Sequence, residues 1–369
     1  MAKKTLKVEI GNYDARGTKL GKNFMTKMKS FPFLIEYTKD EKNGLDVQLR
    51  GAYINIYYQG GNLVKLSGQQ KCDLDENYFY LPKKEGLPMT DIERLCHKDY
   101  KNKAKQSKML RDKSDTELEE LRQQASTIKK NIKKERDKLV NRLKCCESLE
   151  EVEIVVGEMK EVMEQWKKAL VNNGRRKQSA GERAVQHYIS LYNKKFDEMT
   201  DFVVLDIEYA ISTNALYAKE EEREKQPRID ILAIEKGTGQ VYVMELKYGM
   251  KAVNGEASAE KHYEDYLATV GNDTKWQSFI DDVKILLQAK QKQKMIDEDI
   301  KIKDSKPVFV FVMKQEKESD EDSFRKHVET SEKLKKSKIQ TIYLPVEAEK
   351  DYKNPSSMGH KLSKKYMRE

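Results

Sequence analysis

At 369 residues the chain exceeds one typical domain, for which about 100–200 residues is usual, and its 71 basic and 62 acidic side chains leave a net charge of +9. That excess is compatible with a polyanionic partner without demanding one. No run of about eighteen apolar residues occurs and Met1-Ala2-Lys3-Lys4 opens no apolar stretch of signal-peptide length, so a spanning helix is excluded and a soluble, cytosolic protein is expected.

From Phe31 to Leu81 the pattern reads as strands. Phe33–Tyr37 and Ala52–Tyr58 are rich in β-branched and aromatic residues, and Gly60-Gly61 precedes Leu63–Leu66 as a tight hairpin requires. A mainly antiparallel N-terminal domain over 1–88 is expected. Alternating Tyr53, Tyr57 and Tyr58 point to packing within it before base stacking.

Long charged helices follow, with capping boxes at Thr90/Glu93, Ser114/Glu117 and Ser148/Glu151. Leu118, Leu121, Ala125, Ile128, Ile132 and Leu139 form one narrow apolar stripe. Val152, Val155, Met159, Val162, Trp166 and Leu170 form a second. The pair predicts a helical hairpin over 89–174, a candidate dimerisation element. Lys129, Lys130, Lys133, Lys134 and Arg136 also make it a candidate DNA-contacting arm. Cys72, Cys96, Cys145 and Cys146 make no C-x-x-C pair, so reduced thiols and no structural zinc are expected.

Asn172-Asn173-Gly174 ends the hairpin, and Arg175, Arg176 and Lys177 bridge into the last domain, 175–369, as candidate phosphate contacts. There the pattern predicts a helix over 182–192, strands over 202–211, 228–235 and 240–247, and one long helix over 258–293. A strand over 307–313, a charged helix and a strand over 339–344 complete it. The order α-β-β-β-α-β-α-β implies an α/β core with a mixed sheet between helices.

The strands over 228–235 and 240–247 form a hairpin around Lys236-Gly237-Thr238-Gly239. Strand alternation puts Glu245 and Lys247 on one face, and the distance of each acid from the turn makes Asp230 and Glu245 cross-strand neighbours. Two carboxylates and an ammonium ending an apolar hairpin are costly unless something binds them. Hard oxygen donors favour Mg²⁺ or Mn²⁺, a cation that polarises a phosphodiester, with Lys247 placed to orient water or to stabilise transition-state charge.

With Pro227 shortly before Asp230 and with Glu245-Leu246-Lys247, the region from about Ser179 to Leu344 resembles the PD-(D/E)xK nuclease superfamily in motif and element order. The resemblance implies a restriction-endonuclease-like αβββαβ core and Mg²⁺- or Mn²⁺-dependent hydrolysis of DNA, endonucleolytic before exonucleolytic, as in bacterial restriction, anti-phage defence or DNA repair. It also implies Glu182 as a further catalytic acid and metal ligand beside Asp230 and Glu245, with Glu208 in reserve. His262 and Tyr266 have the spacing of a Gln-Tyr pair found in exonuclease-like branches, without the Gln, and carry no mechanism. A homodimer through the hairpin and an activating protein partner are compatible additions. An inactive nucleic-acid-binding or scaffold module, or an RNA-directed nuclease, is the alternative.

Overall fold

The computed structural model describes residues 30–50, 53–68, 71–74, 95, 113–172, 177–194, 199–211, 228–250, 253, 258–346 and 357–368. The chain is mixed α/β, with antiparallel strands near its start, a mixed sheet and helices. Its first described element corrects a sequence expectation: Pro32–Tyr37 is a helix, α1, not a strand. Pro32 stands in the first helical turn, where its missing N–H costs nothing, and Leu34 and Ile35 are buried. Leu45–Leu49 (β1) pairs antiparallel with Ile54–Tyr58 (β2), and Gly61–Gly68 (β3) with Lys71–Asp73 (β4).

The helical hairpin forms as Asp115–Lys144 (α2) and Leu149–Asn172 (α3). Ser114 and Glu117 close their capping box reciprocally. At the second helix Ser148 caps the Glu151 N–H, while the Glu151 carboxylate reaches Glu147 N–H at 2.7 Å. The box at Thr90 and Glu93 lies outside the described residues. Leu118, Ala125, Val140 and Leu143 bury from α2, and Val152, Val155, Val156, Met159 and Met163 from α3.

Contacts divide the chain into two compact units, and the division runs through the expected 1–88 domain. Gly44–Gly60 belongs with Gln178–Glu369, whereas Thr26–Asn43 belongs with Gly61–Lys177. The cause is polar. On β1 Asp46 and Gln48 are each 1% exposed, and Arg50, just beyond it, is 3% exposed. They find their partners in the C-terminal part of the chain: Lys194 lies 3.2 Å from Asp46, Ser190 2.9 Å from Gln48, and Asp206 2.5 Å from Arg50.

In that unit Lys177–Tyr192 (α4) leads to a six-stranded sheet. Phe202–Ala210 (β5), Arg228–Glu235 (β6) and Val241–Tyr248 (β7) form an antiparallel meander. Gly237 and Gly239, both at positive φ, supply the turn between β6 and β7. The helices Ala259–Ala268 (α5) and Trp276–Lys292 (α6) carry the chain to Val308–Lys314 (β8), parallel to β7. Ser319–Thr330 (α7) and Glu332–Ser337 (α8) lead to Gln340–Leu344 (β9), parallel to β8, and Met367–Arg368 (β10) closes the edge.

The single helix expected over 258–293 is therefore two. The chain leaves helical geometry at Thr269, and Asn272 redirects it by accepting from the Thr274 N–H and hydroxyl. Val185 and Ile189 of α4 pack with Ile231, Ala233, Met244, Leu246, Val310 and Ile342 in one core cluster. Among the described residues no helix is long and apolar enough to cross a membrane.

Candidate active site

The β6–β7 register pairs Ile231 with Met244, so the next step of the antiparallel ladder brings Asp230 opposite Glu245. Asp230 Oδ2 accepts from the Leu246 N–H at 3.0 Å, tying the acid to the strand that carries Glu245 and Lys247. Lys247 Nζ lies 3.1 Å from Glu245 Oε1, and both side chains are buried, at 4% and 7% exposed. One ammonium therefore serves the buried Glu245 carboxylate and the partly buried Asp230 beside it. Burial, reinforced by the Glu245 charge, pushes Asp230 well above the carboxylate range against the pull of Lys247 and the Leu246 N–H. Burial likewise raises Glu245, against Lys247 and a hydrogen bond from the Asp230 carboxyl.

Glu182 comes to this pair from α4. Gly181 makes the approach possible, since a Cβ there would meet the Tyr248 ring at 2.7 Å. Gln186, one helical turn after Glu182, donates to the Asp230 carbonyl at 2.6 Å and fixes the helix against β6. Burial, then the Asp230 charge, pushes the Glu182 carboxyl to about 7, with Lys247 opposing. All four expected catalytic residues, Glu182, Asp230, Glu245 and Lys247, thus act on one another electrostatically.

His262 belongs to the same cluster, and sequence reasoning passed over it. From α5 its Nδ1 reaches Glu245 Oε1 at 3.1 Å. Burial, Lys247 and Lys261 hold its imidazole down at about 3, so it is neutral and donates Nδ1–H to the carboxylate. Its i, i+4 relation to Tyr266 was visible, but Tyr266 spends its hydroxyl on the Pro307 carbonyl at 2.7 Å. The usable signal was a histidine on the first helix after Glu-Leu-Lys.

Glu208 follows the irregularity that the β5–β6 ladder makes between Val204 and Asp206. Ile207 pairs with Ile231 and Tyr209 with Ile229, which brings Glu208 level with Asp230, yet Glu208 itself has φ +48°. A left-handed conformation costs a residue with a side chain about 1–3 kcal/mol and persists only where the surroundings impose it. Here Ile207 joins the core cluster with Val185 and Ile189, whereas Tyr209 meets Phe279 of α6 edge-on. Glu208 Oε2 accepts from Arg228 Nη1 at 3.3 Å.

The donor set suits a hard divalent cation: Glu182, Asp230 and Glu245 are carboxylates whose charges oppose one another and outnumber Lys247. Among the described residues no three His, Cys, Asp or Glu side chains converge as metal ligands; Asp230 and Glu245 are instead hydrogen-bonded to each other. Arg175 and Arg176 lie outside the described residues, and the side chain of Lys177 does too. No family model, curated protein or solved structure matches the chain.

Proposed function

We propose that the unit containing 178–369 is a metal-dependent nuclease with a restriction-endonuclease-like core, hydrolysing phosphodiester bonds in DNA. The observation that carries this reading is the juxtaposition of Asp230, Glu245 and Lys247 on a β-hairpin, with Glu182 brought in by the preceding helix. Buried acids are expensive to keep charged, and an ordinary structural ion pair would match one acid to one base; a surplus of acids points to cation binding. The meander followed by a parallel strand after a helical crossover supports the same reading at the level of topology.

Asp230 and Glu245, with Glu182, would hold the cation. When bound, Mg²⁺ or Mn²⁺ supplies Lewis-acid polarisation of the scissile phosphodiester. Lys247 fixes the Glu245 carboxylate and would place its positive charge near the oxygens on which charge develops. Neutral His262 orients Glu245 through the same Oε1 that Lys247 engages, without adding charge. Gln186 and the Leu246 N–H hold Asp230 in place.

The test is incubation of the purified chain with labelled plasmid, linear duplex, single-stranded DNA and RNA, with Mg²⁺, Mn²⁺ or EDTA. Metal-dependent loss of a DNA substrate is expected. Cleavage of RNA alone would reassign the substrate, and no cleavage in any arm would contradict the reading.

A further inference from the structure

Arg228 opens β6, two residues before Asp230, so strand alternation aims both side chains to the same side of the sheet. It is 61% exposed and pairs with the Glu208 carboxylate. Glu208 in turn does not sit freely. Arg50 Nη1 bonds Asp206 at 2.5 Å and Arg50 Nη2 bonds the Ile207 carbonyl at 3.0 Å, while Asp206 Oδ1 accepts from the Ile207 N–H at 2.8 Å. Ile207, immediately before Glu208, thereby has both its N–H and its carbonyl held by buried groups, which is what holds the left-handed turn.

We propose that Arg228 contacts a backbone phosphate of the nucleic acid at the rim of the carboxylate site, and that Glu208, set in its turn by Arg50, is the residue that positions it. The inference rests on the nuclease reading and names how that site keeps hold of its substrate. A polyanion approaching Asp230, Glu245 and Glu182 is repelled unless cations meet it. Lys247 is buried and engaged with Glu245, whereas Arg228 is solvent-facing and presents a planar fork suited to phosphate. Glu208 restrains that guanidinium through a single 3.3 Å contact, weak enough for a phosphate to share it.

The test is binding of a labelled DNA duplex in EDTA across a salt series, together with steady-state cleavage, for the native chain, Arg228→Ala, Arg228→Lys, Glu208→Gln, Arg50→Lys and Arg228→Ala/Glu208→Gln. Arg228→Ala is expected to flatten the slope of log affinity against log salt by about 0.9, the loss of one phosphate contact, and to raise KM several-fold with kcat retained. Arg228→Lys should restore the slope. Glu208→Gln and Arg50→Lys should raise KM in the native background, and Glu208→Gln should add nothing once Arg228 is gone, an outcome that a merely structural role would not give. An unchanged salt slope in Arg228→Ala, or additive effects in the double variant, overturns the inference. If the native chain cuts DNA and the Arg228 variants match it, the inference falls alone. If the native chain neither binds nor cuts, the nuclease reading falls and takes the inference with it.

Discussion

The carboxylate of Asp230 accepts a hydrogen bond from the backbone N–H of Leu246 at 3.0 Å, between the two charged residues of β7. The acid is thus referenced to main chain, and its separation from Glu245 and Lys247 is set by the sheet ladder rather than by side-chain rotamers. Such sites trade stability for function, because like charges are held together out of water.

The first consequence is that Asp230→Asn should not destabilise the metal-free protein. The substitution keeps the acceptor for the Leu246 N–H and removes a charge that burial and Glu245 both oppose. A thermal midpoint equal to or above the native value is expected, alongside loss of activity. A fall of several degrees would show that the Asp230 charge is structural.

Divalent cation should stabilise the native protein and not this variant. A ligand bound only to the folded state at 100 times its Kd adds about 2.7 kcal/mol. Thermal midpoints across a Mn²⁺ titration report it, and equal shifts for native and Asp230→Asn would place the cation elsewhere.

His262→Ala should reduce activity or metal affinity by about 10–100-fold, the range for groups that orient a ligating carboxylate. His262→Gln, which can donate to Glu245, should recover part of it. Full activity in His262→Ala, measured at saturating metal and at low metal, would remove the residue from the site.

Arg50→Met should cost about 3–5 kcal/mol in chemical denaturation, because it leaves Asp206 buried without its partner. Arg50→Met/Asp206→Leu should recover much of that loss. If the double variant is as unstable as the single, the main contribution is the hydrogen bond to Ile207 and not the ion pair.

The same polar layer sets a pH dependence. Burial alone would raise the Asp46 carboxyl, but Lys194, His187, Lys290 and Ser190 outweigh it and hold it at about 2 against 3.8. Its contribution is therefore present above 3.8 and lost as pH falls toward about 2. Burial lowers Lys290 to about 8 from 10.5, despite Asp206 and Asp46. Between those values the unfolded chain binds more protons, so stability rises with pH across that window. Urea midpoints should show this alkaline rise in the native protein and its absence in Lys290→Met; an equal rise in both would assign it to another group.

Much of the C-terminal unit was legible because its signals are local. Apolar runs marked β5 to β9, the glycine turn marked the β6–β7 hairpin, and counting from that turn brought Asp230 level with Glu245. What escaped was decided by distant partners. Phe33–Tyr37 has strand-like residues yet is helical after Pro32. Leu45–Arg50 alternates Leu, Val and Leu with Asp, Gln and Arg, which suggests one solvated face, whereas both faces are buried because Lys194, Ser190 and Asp206 meet the polar one. The contact of His262 with Glu245 depends on where α5 lies against β7, and the left-handed turn at Glu208 depends on Arg50, 158 positions earlier in the numbering. No local pattern encodes either.

The most direct test of the central claim is single-turnover cleavage of the preferred DNA substrate with Mg²⁺ by the native protein, Asp230→Asn, Glu245→Gln and Lys247→Met, each verified as folded. The expected result is metal-dependent cleavage by the native protein and loss of about 10²–10³-fold or more in rate for each variant, the scale for removing one group that stabilises transition-state charge. Cleavage at the native rate by folded Asp230→Asn and Lys247→Met would contradict the assignment of this hairpin as the active site.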